Sequence, residues 1–307
     1  MNRLKWRIKG ILSFLRFQKD LRAAMCLAQS NWQLSSSHPI CFIAGCGRSG
    51  TTLLGQLLAK HPDITYFNEP RSYWMAIASR TDIWGYCPQL PSPDTLLMPS
   101  PSEDEIIRFH ALFGKVGQAS RFLLEKTPEN IFRLPWLLGL SPQAKLIHIV
   151  RNGYDVIRSI QKESSFDIPY GLKDMNNWYG AESRKRRLLA RSAQSVGINS
   201  VIVESCITSC DWAALEWICS LQAFSRNKQL FAAANVFELR YEDLTEATWE
   251  NYNNLLSFLD LPCPVGLQKE IISFVRSRQK PSASPVLSPR IRELFETESI
   301  AHKYPTP

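Results

Sequence analysis

The chain has 307 residues, 45% of them hydrophobic, which is enough for one large α/β domain with a sizeable core. The formal net charge of +8 does not by itself indicate an anionic partner, because residues 1–22 carry seven basic side chains against one acid and so supply +6 of it. Of the eight cysteines, several stand in apolar runs. Cys206 and Cys210 lack a second Cys/His pair nearby, so we expect no metal site.

The N-terminal segment, residues 1–38, is predicted to contain a basic amphipathic helix. Within residues 1–22, the apolar side chains follow helical spacing among the basic ones. Such a helix could lie on an anionic membrane surface, dock on the domain or fray as a terminus. Its apolar stretch is too short to span a bilayer and too charged for a secretory signal. We therefore expect a cytoplasmic protein, with peripheral membrane contact through residues 1–22 as an alternative.

A glycine-rich loop, GCGRSGTT at residues 45–52, follows an apolar strand signal at Ile40–Ala44 and opens a helical run. The order strand, glycine loop, helix predicts a phosphate-binding loop, in which backbone N–H groups face an anion. Nucleoside triphosphatases place a lysine after the last glycine, but here Gly50 is followed by Thr51, and the cation is Arg48 instead. The loop suits a 5′-phosphate and lacks the lysine that reaches a γ-phosphate.

Four more strands are predicted downstream, with helical runs between them. They are Ile64–Phe67, Arg121–Glu125, Lys145–Val150 and Val236–Arg240. This alternation predicts a P-loop-like, three-layer α/β domain over residues 39–307, with a mostly parallel central sheet flanked by helices. In such sheets ligands bind beyond the carboxyl ends of the strands.

A second anion-binding motif is predicted where the 145–150 strand ends, in RNGYDVIRS at residues 151–159. Arg151 stands at the strand end, and Ser159 lies about two helical turns later. A strand-end guanidinium and a helix hydroxyl can converge on one anion. His148, inside the strand, is expected to be a buried histidine with satisfied hydrogen bonds and no catalytic role.

These two motifs, in this order, resemble those of the sulfotransferases that use 3′-phosphoadenosine 5′-phosphosulfate (PAPS). The similarity covers roughly residues 40–261 and is greatest to the branch of Golgi carbohydrate, tyrosylprotein and bacterial enzymes. It implies PAPS as co-substrate, without a metal, and a 3′-phosphate held by Arg151 and Ser159. It also implies a 5′-phosphosulfate site formed by Gly47, Arg48, Ser49, Gly50, Thr51 and Thr52.

The resemblance further implies three catalytic residues. Glu69, at the end of the 64–67 strand, corresponds to the glutamate that takes the acceptor proton, and the alternatives are an ion pair with Arg71 or a cap on the next helix. Arg48 would stabilise charge on the bridging oxygen, or else only brace the loop. Lys126 would reach the sulfuryl group or the acceptor hydroxyl, unless it is merely an exposed strand-end lysine.

Two insertions are expected to select the acceptor. Residues 72–120 contain Tyr73, Trp74, Trp84 and Tyr86, which suggest a lid or wall against a sugar ring or a phenol. Residues 164–211 contain the basic run 184–187, which could face an anionic glycan or an acidic peptide, or form a solvated helix face. The basic loop 276–281 could likewise reach phosphates or stay solvated.

The leading hypothesis is a PAPS-dependent sulfotransferase acting on a hydroxyl of a carbohydrate or small metabolite, with no nucleic-acid partner. Tyrosine sulfation of peptides is an alternative acceptor choice. An ATP-dependent small-molecule kinase would use the same loop fold, but ATP has no 3′-phosphate for Arg151 and Ser159 to bind. A non-catalytic nucleotide-binding protein would not need Glu69 or Lys126.

Overall fold

The central feature of the fold is a parallel sheet of five strands in the order β2-β3-β1-β4-β5. The structure is a computed structural model that describes residues 3–32, 39–87, 93–117, 121–164, 178–275 and 284–304. The strands within these ranges are β1 Ile40–Ala44, β2 Ile64–Asn68, β3 Phe122–Lys126, β4 Lys145–Val150 and β5 Val236–Arg240. Each of the five predicted strands is present, with bounds that differ from the prediction by at most one residue.

Helices connect the strands and cover both faces of the sheet. In chain order they are α1 Arg3–Leu27, α2 Thr51–Leu58, α3 Arg71–Ile77, α4 Glu103–Gly117, α5 Leu134–Leu140, α6 Gly153–Ser164, α7 Arg184–Ser195, α8 Ser200–Glu204, α9 Ser209–Asn227, α10 Tyr241–Glu246, α11 Thr248–Phe258, α12 Gln268–Phe274 and α13 Pro289–Ala301. Short 3₁₀ turns, such as Pro128–Phe132 after β3, complete the connections.

The core consists of two hydrophobic clusters, one on each face of the sheet. Successive side chains of a strand point to opposite faces, so Phe42 of β1 joins one cluster, while its neighbours Cys41 and Ile43 join the other. Helices α3, α4, α6 and α9 supply the first cluster, and α2 and α11 supply the second. The predicted three-layer, P-loop-like α/β architecture is therefore confirmed.

The strand register brings the predicted site residues to one edge of the sheet. Asn68 of β2 is opposite Lys126 of β3, and Lys126 is opposite Ile43 of β1. On the other side of β1, Ala44 pairs with His148, two residues before β4 ends. Because all strands run in the same direction, the residues that follow them meet at a single carboxyl edge.

Helix α1 docks on the domain through its C-terminal half. Leu21 and Ala24 of the helix and Ala28 directly after it are buried, and the helix packs against α3. Leu12 and Leu15 are 60% and 57% exposed on its other side. This packing agrees with the docking alternative for the N-terminal segment. Among the described helices, we find none that combines the length and the apolar character needed to cross a membrane.

His148 differs from its prediction in one respect. It is buried, as expected, and it stacks on Phe224 with ring centroids 3.7 Å apart. Within the described residues, however, neither ring nitrogen has a hydrogen-bond partner, so the expectation of a satisfied histidine is wrong. Burial, with a smaller contribution from the nearby His302, lowers the pKa of His148 to about 3, which keeps the ring neutral.

Candidate active site

The glycine-rich loop has the backbone conformation of an anion-binding loop. Arg48 and Gly50 have positive φ angles of 70° and 92°, and α2 begins at Thr51 without a side-chain cap on its N–H groups. Any other residue at position 50 would be strained, because φ is 92° and a Cβ there would lie 2.3 Å from the ring of Tyr241. The buried Ser49 hydroxyl has no hydrogen-bond partner among the described residues, so a donor and acceptor is left available in the loop.

Arg151 brings the end of β4 to this loop. Its Nη1 donates to the carbonyl oxygen of Arg48 at 3.3 Å, and its Nη2 lies 3.6 Å from a carboxylate oxygen of Asp155. The guanidinium also lies over the ring of Tyr241, 4.4 Å from its centroid. Its buried Nε has no partner within the described part of the chain. Arg151 is thus fixed in place with part of its donor capacity unused.

Arg48 links the loop directly to the second motif. Its Nε donates to Ser159 Oγ at 2.9 Å, and its Nη2 lies 3.3 Å from Glu163 Oε1, one turn further along α6. Residues that are 111 positions apart in the chain therefore contact each other. Glu163 is not part of either sequence motif, and its i+4 spacing from Ser159 on a helix was the available signal.

Glu69, Lys126 and Thr52 form a hydrogen-bonded set at the carboxyl edge of β2 and β3. Lys126 Nζ donates to Glu69 Oε1 at 2.6 Å and to Thr52 Oγ1 at 2.9 Å. The Lys126 side chain is fully buried, so the alternative of an exposed strand-end lysine is wrong. Glu69 has a positive φ of 50°, an unfavourable conformation for this residue type, and its N–H donates to the Lys126 carbonyl at 2.7 Å.

Aromatic side chains of the first insertion hold Arg71 beside Glu69. Arg71 Nη2 donates to Glu69 Oε2 at 2.9 Å, so the predicted structural ion pair exists alongside the contact with Lys126. The guanidinium lies 4.2 Å from the centroid of Trp84 and also donates to the Tyr86 hydroxyl. Trp74, in contrast, is a core residue rather than part of a lid, being only 1% exposed.

A second buried carboxylate, Glu125, lies next to Lys126 on the opposite face of β3. It accepts hydrogen bonds from Trp74 Nε1 at 2.9 Å, Thr127 Oγ1 at 2.5 Å and Asn130 Nδ2 at 2.8 Å. Burial raises the pKa of Glu125 from its ordinary 4.5 to about 7, although these hydrogen bonds oppose the shift. We did not single out this residue from the sequence, where alternation along β3 was the available signal.

The basic run 184–187 is only partly the solvated face proposed as one of its alternatives. Lys185 is fully buried and forms ion pairs with Glu129 at 3.0 Å and with Glu216 at 2.8 Å. The expectation of a solvated face is therefore wrong for this residue. The basic loop 276–281 lies outside the described residues, as do parts of both insertions, residues 88–92, 118–120 and 165–177.

The protein has the fold of an α/β protein with a glycine-rich loop at the carboxyl edge of a parallel sheet, the edge at which such sheets bind their ligands. The sulfotransferase family model Sulfotransfer_3 matches residues 39–203, which is more than half of the chain. The chain therefore belongs to the sulfotransferase family, as its motifs predicted.

Individual relatives agree with this assignment. The chain is 33% identical over 143 residues to the nodulation protein NoeE of Sinorhizobium fredii, covering 43% of this chain and 32% of that protein. It is 25% identical over 154 residues to the protein-tyrosine sulfotransferase of Drosophila melanogaster, covering 46% and 29% of the two chains. The matches thus span about a third of the length of these relatives.

Among solved structures, the fold is similar to that of the sulfotransferase STF1 of Mycobacterium tuberculosis. The TM-score is 0.52 at 15% sequence identity, and the superposition covers 92% of this chain and 84% of that one. At this identity the likeness concerns the fold alone. It agrees with the parallel sheet and its flanking helices.

Proposed function

We propose that this protein transfers the sulfuryl group of PAPS to a hydroxyl group of an acceptor. The observation that carries the proposal is the set formed by Glu69, Lys126 and Thr52. In this set a carboxylate and a buried ammonium lie against Thr52, in the first turn of helix α2, which follows the phosphate loop. A base for the acceptor proton and a cation for the transferred group are therefore adjacent to the donor loop.

The donor-binding residues fit a nucleotide that carries two separate phosphate groups. Arg48 and Ser49, whose hydroxyl has no partner within the described ranges, belong to the loop, whereas Arg151 and Ser159 belong to β4–α6. We assign the loop, residues 47–52, to the 5′-phosphosulfate and the second pair to the 3′-phosphate. No lysine follows Gly50 to contact a γ-phosphate, and this argues against ATP as the donor.

In this proposal each residue has a defined task. PAPS, when bound, supplies the sulfuryl group and leaves as 3′-phosphoadenosine 5′-phosphate (PAP). Glu69 accepts the proton of the acceptor hydroxyl. A carboxylate has about four lone-pair positions, and because the hydrogen bonds from Lys126 and Arg71 occupy two of them, the others can receive this proton. Lys126 and Arg48 are positioned cations that stabilise negative charge developing between donor and acceptor, so we expect no metal requirement.

We expect the acceptor to be a carbohydrate or a small metabolite with a free hydroxyl. Arg71 and Tyr86 are partly exposed beside Glu69, with the buried Trp84 behind the guanidinium, so this side of the site is cationic and aromatic. Such a wall suits a sugar ring or a phenol. A tyrosine hydroxyl in a peptide is the second candidate, because the name of the Drosophila relative is that of a protein-tyrosine sulfotransferase.

The direct test is an assay of sulfuryl transfer with radiolabelled PAPS and a panel of sugars, small alcohols, phenols and tyrosine peptides. We expect labelled product with at least one hydroxyl acceptor, and a loss of that product in the Glu69→Gln variant. The same panel with ATP and magnesium serves as the control for kinase activity. Phosphorylated product from ATP, together with no transfer from PAPS, would overturn the proposal in favour of a kinase.

A further inference from the structure

A buried network of charged and aromatic residues lies beneath the phosphate loop. Gly47 packs against the indole of Trp178, and a Cβ at position 47 would overlap Cζ2 and Cη2 of that ring. Trp178 belongs to the segment that precedes α7, so it approaches the loop from the acceptor-side insertion. A side chain at position 47 would therefore displace the indole of Trp178, whether or not a phosphate is bound.

Trp178 is anchored at its other end by a buried ion-pair set. Its Nε1 donates to Glu216 Oε2 at 2.9 Å, and Glu216 Oε1 accepts from Lys185 Nζ at 2.8 Å. Lys185 also donates to Glu129 Oε1 at 3.0 Å, and its Nζ lies 4.3 Å from the centroid of the indole. Lys185, Glu216 and Glu129 are 0%, 1% and 6% exposed, so solvent screens these interactions little.

The charges of this set depend on one another. Burial alone would lower the pKa of Lys185, but the adjacent carboxylates of Glu216 and Glu129 raise it above its ordinary value. Burial would raise the pKa of Glu129, but Lys185 and, at longer range, Arg71 hold it below its ordinary value. Removing the single ammonium would leave two buried carboxylates without their counterion, which is strongly unfavourable.

The network joins three parts of the candidate active site. Gly47 lies in the donor loop, Glu129 comes three residues after Lys126, and Trp178 and Lys185 come from the acceptor-side segment. A hydrogen-bonded network that is fully satisfied and buried restricts its members to one arrangement. In this arrangement the indole of Trp178 packs against Gly47, in the loop whose backbone faces the donor in the proposed function.

We propose that Trp178 is a positioning residue, anchored by Lys185, Glu216 and Glu129, that holds the phosphate loop in its donor-binding conformation. The inference rests on the proposed function only where donor affinity is concerned. The effect on the loop itself is a property of the free protein. In this role Trp178 acts through Gly47 and does not need to touch the donor.

The test compares Trp178→Ala, Trp178→Phe and Lys185→Met with wild type by hydrogen exchange in the free protein and by calorimetric titration with PAP. Exchange is read in peptides covering the loop, residues 45–52, and strand β4, Lys145–Val150. Trp249→Phe is the matched control, because Trp249 is partly buried in the cluster on the other face of the sheet. If Trp178→Ala does not fold, or if Lys185→Met does not because it leaves two buried carboxylates without their counterion, Trp178→Phe carries the test.

We expect loop amides of Trp178→Ala and Lys185→Met to exchange about tenfold faster than in wild type, with β4 unchanged. PAP should bind these variants about tenfold more weakly, while Trp178→Phe, which keeps a ring on Gly47, loses less.

Unchanged loop exchange would overturn the inference, as would equal acceleration in β4, the mark of a purely structural role. Faster loop exchange with undiminished PAP affinity would overturn it too. A wild-type protein that binds PAP no better than AMP would instead count against the proposed function. The exchange rates of the free protein would still test whether Trp178 holds the loop, because they are measured without nucleotide.

Discussion

The assignment of Glu69 as the base predicts a large loss of turnover in Glu69→Gln. The substitution keeps the size of the side chain and its ability to accept a hydrogen bond from Lys126, but it removes the basic carboxylate. A positioned general base contributes about 10²- to 10⁴-fold to a rate. The expected fall in kcat corresponds to about 3–5 kcal/mol of transition-state stabilisation.

The same substitution is also expected to lower the stability of the fold, by an amount that can be derived from the burial of Lys126 and Glu69. Lys126 is fully buried and lies 2.6 Å from Glu69, so the variant leaves a buried ammonium beside a neutral amide. Glu69 itself is 29% exposed and water can partly solvate the site, so we expect a loss of about 1–3 kcal/mol in the free energy of unfolding. That loss lowers the melting temperature without abolishing folding in a domain of this size.

The assay is steady-state transfer from PAPS to the best acceptor of the panel, with thermal unfolding measured on the same samples. Glu270→Gln is the matched control, because it disrupts a Lys–Glu pair of 2.8 Å with Lys60, in the 268–274 helix and outside the residues assigned to the site. The control should keep the wild-type kcat. If Glu69→Gln stays within about threefold of wild-type kcat while its melting temperature falls, the carboxylate is a structural partner of Lys126 and the assignment of the base is wrong.

Two further predictions concern carboxylates near the site. Glu163→Gln frees Arg48 from a half-exposed ion pair and should tighten PAP binding about twofold to fivefold in titrations; weaker binding would contradict the assignment of Arg48 to the donor. Glu125 has a pKa of about 7 in the folded state, so the folded protein binds this proton more tightly than the unfolded chain does. The stabilisation that comes from protonated Glu125 is therefore lost as the pH rises from about 4.5 through 7. Relative to Glu125→Gln, wild type should lose about 3 kcal/mol of unfolding free energy over this interval, read by denaturant titrations; a pH-independent difference would refute the shift.

The strands and the loop could be predicted because their signals are local. Short apolar runs bounded by turn residues predicted all five strands, and the loop motif follows directly from the end of β1. Helix starts depend on side-chain capping, which apolar spacing does not reveal. Helix α9 begins at Ser209, where Thr208 and Asp211 form a reciprocal capping box.

The network around Lys185 could not be predicted, because its partners are distant in the chain. Glu216 and Glu129 are 31 and 56 positions away, and a basic run on a predicted helix is typical of a solvated helix face. The contact between Arg48 and Ser159 spans 111 positions and depends on the parallel register of β1 and β4. Sequence motifs indicated that both residues bind phosphate, but only the fold shows that they touch each other.

The central claim, that this site binds a 3′-phosphorylated adenine nucleotide, is tested most directly by calorimetric titration with PAP, AMP and ADP. Arg151 contacts the loop carbonyl of Arg48, and its Nε has no partner among the described residues, so we expect PAP to bind at least tenfold more tightly than AMP or ADP. That preference should disappear in Arg151→Ala, whereas Arg158→Ala, which removes a neighbouring arginine paired with Asp155, should retain it. Equal affinity of the wild-type protein for all three nucleotides would contradict the 3′-phosphate site and with it the proposed donor.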